Sequence, residues 1–342
     1  MNGLRISAAG MVTAVGLDAP SSCAALRARI DGFAETRFAG PGGEWLRGAA
    51  VPLPRQWIGE KRWAHLAAGA LLEVLKQSNN RRNVEVILCL PEEDRPGRPI
   101  LDADSFLHRV QKILGLDYSL RSKVVTHGRP SGIVALSTAR KALARDPNHE
   151  IAILGVDSYL TGRTIQHYLS QQRLLTADNP EGFLPGEAAA AVLCRGAGPG
   201  MNVGGIGLSR EEAHFLNGQD ENGFNLPLRG EGMAAAYKAA LSEAGLGLHE
   251  IGVKIGDLIG ETFWFKQSEL ASLRTQRERS EVHPIWPIAA ALGNIGAAVV
   301  PVMLGWALAA VRKDYAHQKP LLIESSADDG ACGVAIVGGL SA

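Results

Sequence analysis

The residues with chemical potential in this 342-residue chain are few and dispersed. Four cysteines, Cys23, Cys89, Cys194 and Cys332, stand far apart, and no pair has zinc or redox spacing. They read as reduced thiols of a cytoplasmic protein. Ser131 follows His127 by four residues, and Cys332 lies in a glycine-bearing run near the end of the chain. A hydroxyl activated by a base, or an accessible thiol, would be a nucleophile. With no acid evident to orient the base, a serine of this kind more commonly caps or packs, and a buried cysteine more commonly fills space. Asp257 with Glu261, or Asp328 with Asp329, would make paired acids, although aspartates at such places usually serve turns and caps. His283, ahead of Pro284, is a candidate cleft residue, and a lone histidine is more often structural or solvated. Arg129 is a permanent cation suited to a carboxylate or a phosphate. No metal and no cofactor is expected.

These residues must be positioned by a large core, for 46% of the chain is hydrophobic. The 35 basic and 35 acidic residues cancel and are scattered, so neither nucleic acid nor an anionic membrane surface is expected as a partner. Met1 to Gly10 (MNGLRISAAG) has no long apolar stretch behind a basic end, so no signal peptide is expected. Ile288 to Val311 is the longest apolar stretch, and Asn294, Pro301 and small residues break it into a buried helix rather than a membrane span.

Short β-rich runs alternate with helical ones. Strands are expected at Arg5 to Ala8, Val84 to Leu90, Lys123 to Thr126, Glu150 to Val156 and Gly186 to Cys194. Helices are expected at Pro20 to Ile30, with Ser21 or Ser22 as cap, and at Arg62 to Gln77, Ser105 to Leu114 and Ser131 to Ala144. The pattern then starts again, with strands at Met201 to Leu208, Ile251 to Gly256, Pro320 to Ser325 and Cys332 to Val337. Its helices are Gly232 to Ala244, Glu261 to Gln276 and Ile295 to Arg312. Such alternation predicts parallel sheets with helices on both faces. Two similar runs meeting near residue 200 predict two fused halves, 1–200 and 201–342, in one compact unit. Pro91 to Arg98 and Asn217 to Arg229 are expected as surface loops, with a site lid as the alternative. Phe263, Trp264 and Phe265 are expected in core packing, with a pocket or a dimer face as the alternative.

Four stretches together resemble the β-ketoacyl synthases. Gly10 to Gly16 (GMVTAVG) and the helix after it are similar to the opening of that family. Asn179 to Leu193 (NPEGFLPGEAAAAVL) resembles its "DGF…GEGA" loop and strand, and Leu241 to Ile251 (LSEAGLGLHEI) the helix end before its first histidine. Gly293 to Pro301 (GNIGAAVVP) with Glu324 to Gly333 (ESSADDGACG) resembles its second catalytic loop and terminal glycine loop. The order and spacing hold over nearly the whole chain. The resemblance implies a five-layered αβαβα thiolase-like fold, usually a homodimer. Small residues such as Ala188 to Ala191 and Gly296 to Ala298 suit the close approach of two buried layers.

The positions that matter in the family are altered here. A condensing enzyme carries its acyl chain on a cysteine at the start of a buried helix, where thiolate is favoured. Aligned on Ser131-Gly132, that position falls on Arg129. The first family histidine falls on Asp257 when counted from Ala244-Gly245-Leu246, or on Leu258 when counted back from Ser268-Glu269. The third position is Asn294 if Gly293-Asn294 matches the family "GN", or Gly293 if Gly296-Ala297-Ala298 is the anchor. The family lysine has no match, and Ile288 stands near its place.

What the resemblance implies is therefore a non-catalytic thiolase-fold protein, a pseudoenzyme that serves as a binding or partner subunit. The turn Asp257 to Glu261, with His283-Pro284 and the Gly293 loop, resembles synthase-like proteins that accompany type VI secretion effector genes. Partners on this reading are a second copy, an effector, a carrier protein or an active synthase. The alternative is an acyltransferase, decarboxylase or hydrolase acting on acyl thioesters with altered residues.

Overall fold

Runs such as Val84–Cys89 and Glu150–Ser158 have almost no polar face to leave in water, and the structure buries them on both sides. It is a computed structural model and describes residues 3–216, 221–278, 283–317 and 319–341. Residues 217–220, part of the expected loop Asn217 to Arg229, lie outside the described residues.

In chain order the elements begin with β1 (Arg5–Val12), α1 (Ala19–Arg27), β2 (Ala34–Ala39), β3 (Trp45–Gly48), α2 (Gly59–Lys76), β4 (Val84–Cys89) and α3 (Ala103–Leu114). They continue with β5 (Arg121–Val125), α4 (Ser131–Arg145), β6 (Glu150–Ser158), α5 (Gly162–Ser170), β7 (Glu187–Arg195) and β8 (Gly200–Arg210). The last are α6 (Glu231–Ala244), β9 (Val253–Gly256), α7 (Thr262–Thr275), β10 (Ile285–Pro287), α8 (Ala289–Leu292), α9 (Val299–Arg312), β11 (Leu321–Ser326) and β12 (Ala331–Ser341).

One large sheet carries the order β10-β9-β11-β12-β8-β1-β7-β6-β4-β5. In the five of its strands that come first in the chain, β7 runs antiparallel to both neighbours, β1 and β6, while β6, β4 and β5 are parallel. In the five that come last in the chain, β12 is antiparallel to β8 and β11, while β11, β9 and β10 are parallel. The two sets thus share one strand order and one exceptional strand. They are joined where Arg5 pairs with Asn202 and Ile6 with Met201.

The side-chain period of two sorts each strand between layers. Ile87, Ile151 and Ile153 face a central layer with Ile133 and Leu136 of α4 and Met303 and Leu304 of α9. Val86, Leu88 and Leu154 face outward against Trp63, Leu66 and Leu71 of α2. On the far side Val334 and Ile336 of β12 meet Met233, Tyr237 and Leu241 of α6. The layers are helix, sheet, helix, sheet, helix, the αβαβα arrangement of the thiolase-like fold. Small residues make the central layer close: a Cβ on Gly132 would lie 2.5 Å from Val300 Cβ, and one on Gly155 would lie 2.4 Å from Ala297 O.

Several elements differ from expectation. The α1 cap is Asp18, which accepts from Ser21 N at 2.7 Å, rather than Ser21 or Ser22. The apolar stretch from Ile288 is α8, then Gly293 at φ +64°, a tight turn Gly296–Ala298, and only then α9. Among the described residues no helix is long and apolar enough to cross a membrane. The hairpin β2–β3, α5, α8 and β10 are additions to the expected elements.

Candidate functional site

Arg129 sits in the turn between β5 and α4, and glycine and serine chemistry shapes that turn. Gly128 is at φ +60°, and a Cβ there would lie 1.8 Å from Glu92 Oε1, so the position admits glycine. Ser131 Oγ accepts from His127 N at 2.9 Å and donates to Leu90 O at 3.4 Å, tying the turn to the end of β4. Ser131 is fully buried, and its bond to His127 is with the backbone of that half-buried residue. The serine thus ties the turn to its neighbours through backbone groups.

The guanidinium of Arg129 is buried at the meeting point of four elements. Its Nη1 lies 3.4 Å from Asp257 Oδ2, just past the end of β9, and its Nη2 lies 3.3 Å from Asp328 Oδ1 in the β11–β12 turn. Trp264 of α7 forms the floor, with its ring 4.0 Å from the guanidinium carbon. A cation so close to the start of α4 gains nothing from the helix dipole, and the two carboxylates offset this.

Arg173 completes the cluster. Its Nε and Nη2 each reach Glu261 at 2.8 Å, a two-pronged bond, and its Nη1 reaches Asp328 Oδ2 at 2.5 Å. Phe215 lies beneath its guanidinium at 4.0 Å. Beside it, Arg95 pairs with Asp157 through two bonds, one of them 2.9 Å, and lies 4.5 Å from the Tyr159 ring centre. Asp157 also accepts from Ala297 N at 2.9 Å, which locks the turn before α9 to the end of β6. Three arginines therefore face four carboxylates, Asp157, Asp257, Asp328 and Glu261.

The two carboxylates on Arg129 titrate in opposite directions. Burial raises the pKa of Asp257, and the nearby Arg129 and the Ser325 hydroxyl only partly offset it. Burial also acts on Asp328, but Arg173 and then Arg129 outweigh it and hold that carboxyl below its usual range. Glu92 is raised by burial.

The remaining sequence candidates are placed apart from one another. Asp257 faces Arg129, whereas Leu258 packs among Phe183, Ile259 and Trp264. Asn294 is buried and its Oδ1 accepts from Gly296 N at 3.1 Å, so its side chain shapes its own turn. Gly293 closes that turn, where a Cβ would lie 2.4 Å from Leu184 O. Cys332 does not face the arginine cluster. Its neighbour Gly333 abuts Ile133 in the central layer, so Cys332 points the other way, toward α6 and α7, with Gln267 Nε2 at 3.9 Å. His283 lies ahead of β10, at the opposite end of β9 from Asp257, where Pro284 O accepts from Lys254 N. The acid pairs also separate: Glu261 binds Arg173, and Asp329 is exposed near Arg210. Trp264 belongs to the site and Phe265 is exposed.

Sequence reasoning missed Arg95, Asp157 and Arg173. The stretch Pro91 to Arg98 is not a plain surface loop, because Arg95 within it is buried on Asp157. Asp157 carries one signal, an acid directly after the apolar run 151–156; Arg173 carries none.

The four cysteines are all buried. Burial pushes Cys23 up to about 12 and raises Cys89, Cys194 and Cys332 as well. Among the described residues no group of three or more His, Cys, Asp or Glu is placed to hold a metal ion.

Solved structures share this architecture over the whole chain. A complex of a type II PKS acyl-carrier protein with its ketosynthase bound to the hexaketide matches with TM-score 0.78 at 15% identity, covering 98% of this chain and 99% of the other. The ishigamide ketosynthase/chain length factor matches with TM-score 0.76 at 17% identity, covering 98% of each chain. The chain has the ketosynthase fold. A β-ketoacyl synthase from Burkholderia phymatum STM815 matches likewise, with TM-score 0.71, 17% identity and 99% of each chain covered. At these identities the likeness is one of fold. No protein-family model and no curated protein matches the sequence.

Proposed function

We propose that this ketosynthase-fold chain does not condense acyl thioesters and acts as a binding or partner subunit. The observation that carries this reading is the closure of Arg129 by Asp257, Asp328 and Trp264, where the sequence resemblance puts the nucleophile. A permanently charged guanidinium cannot form a thioester, and its charge is met by the buried Asp257 and the partly buried Asp328. The alternative, an acyltransferase, decarboxylase or hydrolase, needs an activated nucleophile. Against it, Ser131 is tied to backbone groups and the thiols are raised by burial.

Solved relatives in fold include a ketosynthase in complex with its chain length factor, from Xenorhabdus doucetiae. By analogy this chain pairs with a second thiolase-fold chain, either a copy of itself or an active synthase. Strand β5 is an unpaired edge of the large sheet, with Val124 41% exposed, and suits such pairing. Strand β6, the other element that the family dimer would place near its edge, lies between β4 and β7 and is buried throughout. A carrier protein and a secretion effector are the further partners that the resemblance implies, in a cytoplasmic setting. Incubation with acyl-CoA followed by intact-mass measurement tests the reading: an unchanged mass is expected, and a stoichiometric acyl adduct overturns it.

A further inference from the structure

A cavity away from the arginine cluster opens beside edge strand β10 and has a volume of about 700 Å³. That volume is in the range of small-molecule sites. Its walls are aromatic: the Trp286 ring centre lies 4.9 Å from that of Trp306 and 5.8 Å from that of Tyr315. Arg27 and Arg29, from the end of α1 and the residues after it, and His317 also line it, and among the described residues no acidic side chain does. Arg27 lies over the Tyr315 ring at 4.4 Å, and neither arginine forms an ion pair among the described residues. This contrasts with Arg95, Arg129 and Arg173, whose charges are all met by carboxylates.

We infer that this cavity binds an aromatic carboxylate. Flat indole and phenol faces select a flat ring, which gains from stacking as well as from burial. Planar guanidinium groups with unmet donors select a carboxylate, which they bind in a two-pronged manner. An apolar acyl chain would leave the arginines unanswered, and a cation would meet two of them. The site is independent of the proposal that the chain lacks condensing activity, for none of its residues belongs to the cluster around Arg129.

The test is a titration of the intact chain with 2-naphthoate, with its neutral isostere 2-naphthamide as comparator, followed by the indole N–H resonances of its tryptophans. Saturable binding of naphthoate is expected, with the Trp286 and Trp306 signals shifted. Naphthamide is expected to bind about tenfold more weakly, the worth of a charged hydrogen bond. The double variant Arg27→Gln, Arg29→Gln, at exposed positions, is expected to weaken naphthoate about tenfold and leave naphthamide unchanged. Trp286→Leu should weaken both ligands. The inference is overturned if naphthoate fails to saturate at millimolar concentration, if it binds no better than naphthamide, or if the double variant binds it unchanged.

Discussion

Arg129 and Arg173 hold the same carboxylate, Asp328, from two sides: Arg129 Nη2 lies 3.3 Å from Oδ1 and Arg173 Nη1 lies 2.5 Å from Oδ2. Arg129 belongs to the β5–α4 turn and Asp328 to the β11–β12 turn, 199 residues apart. One carboxylate near the end of the chain therefore ties down two cations from its middle. Removing it would leave both guanidinium groups short of a partner in a buried place, which is costlier than the pair is worth.

Asp328→Asn is accordingly expected to lower stability by about 3 kcal/mol at neutral pH. The folded pKa of Asp328 is below its ordinary value, despite burial, because of Arg173 and Arg129. Its stabilisation is thus present above the unfolded value, about 3.9, and is lost as pH falls through the folded pKa. Urea midpoints of both proteins down the pH range check this. The gap should narrow in acid, and a gap independent of pH contradicts it.

Asp257 has the opposite sign. Burial raises its folded pKa above the unfolded one. Its contribution is fully present below about pH 4 and is lost as pH rises through the folded value. Asp257→Asn removes this titration. Stability of the variant should fall less than that of the unaltered chain between pH 4 and neutrality, on the same urea measurement. A steeper fall would show that ionised Asp257 is the form the fold prefers.

Much of the fold around Arg129 is legible in the residues themselves. The apolar run Val84–Cys89 and the Gly128-Arg129-Pro130 turn before an apolar helix predict a strand and a buried helix start, and both are there. The two arginines beside Arg129 are less legible. Arg95 meets Asp157 from 62 residues away and Arg173 meets Asp328 from 155, and such pairs leave no local spacing to read. Cys332 illustrates a second limit. Its run is recognisable, but a shift of one residue in a strand decides which layer a side chain enters, and Gly333 rather than Cys332 faces the central layer.

Pairing through the β5 edge gives a prediction about mass. The unaltered chain at micromolar concentration should scatter light as a particle of twice 36.3 kDa. Its interface should bury more than roughly 2,000 Å², the scale of an obligate dimer. Val124→Lys places a charge on an exposed position of that edge. It should shift the particle toward the single-chain mass without changing the circular dichroism spectrum. A single-chain mass for the unaltered protein contradicts the pairing.

The most direct measurement is turnover of malonyl and acyl thioesters by the purified chain, beside an active synthase as control. The account predicts no product above the uncatalysed rate and no acyl adduct by intact mass. It also predicts that Arg129→Cys alone restores no condensation, because Asp257 and Leu258 offer the developing enolate no imidazole donor, a stabilisation of about 3 kcal/mol. Turnover that survives repurification and is abolished by Ser131→Ala, Cys332→Ala or Asn294→Ala would contradict the account and identify the residue that carries the chemistry.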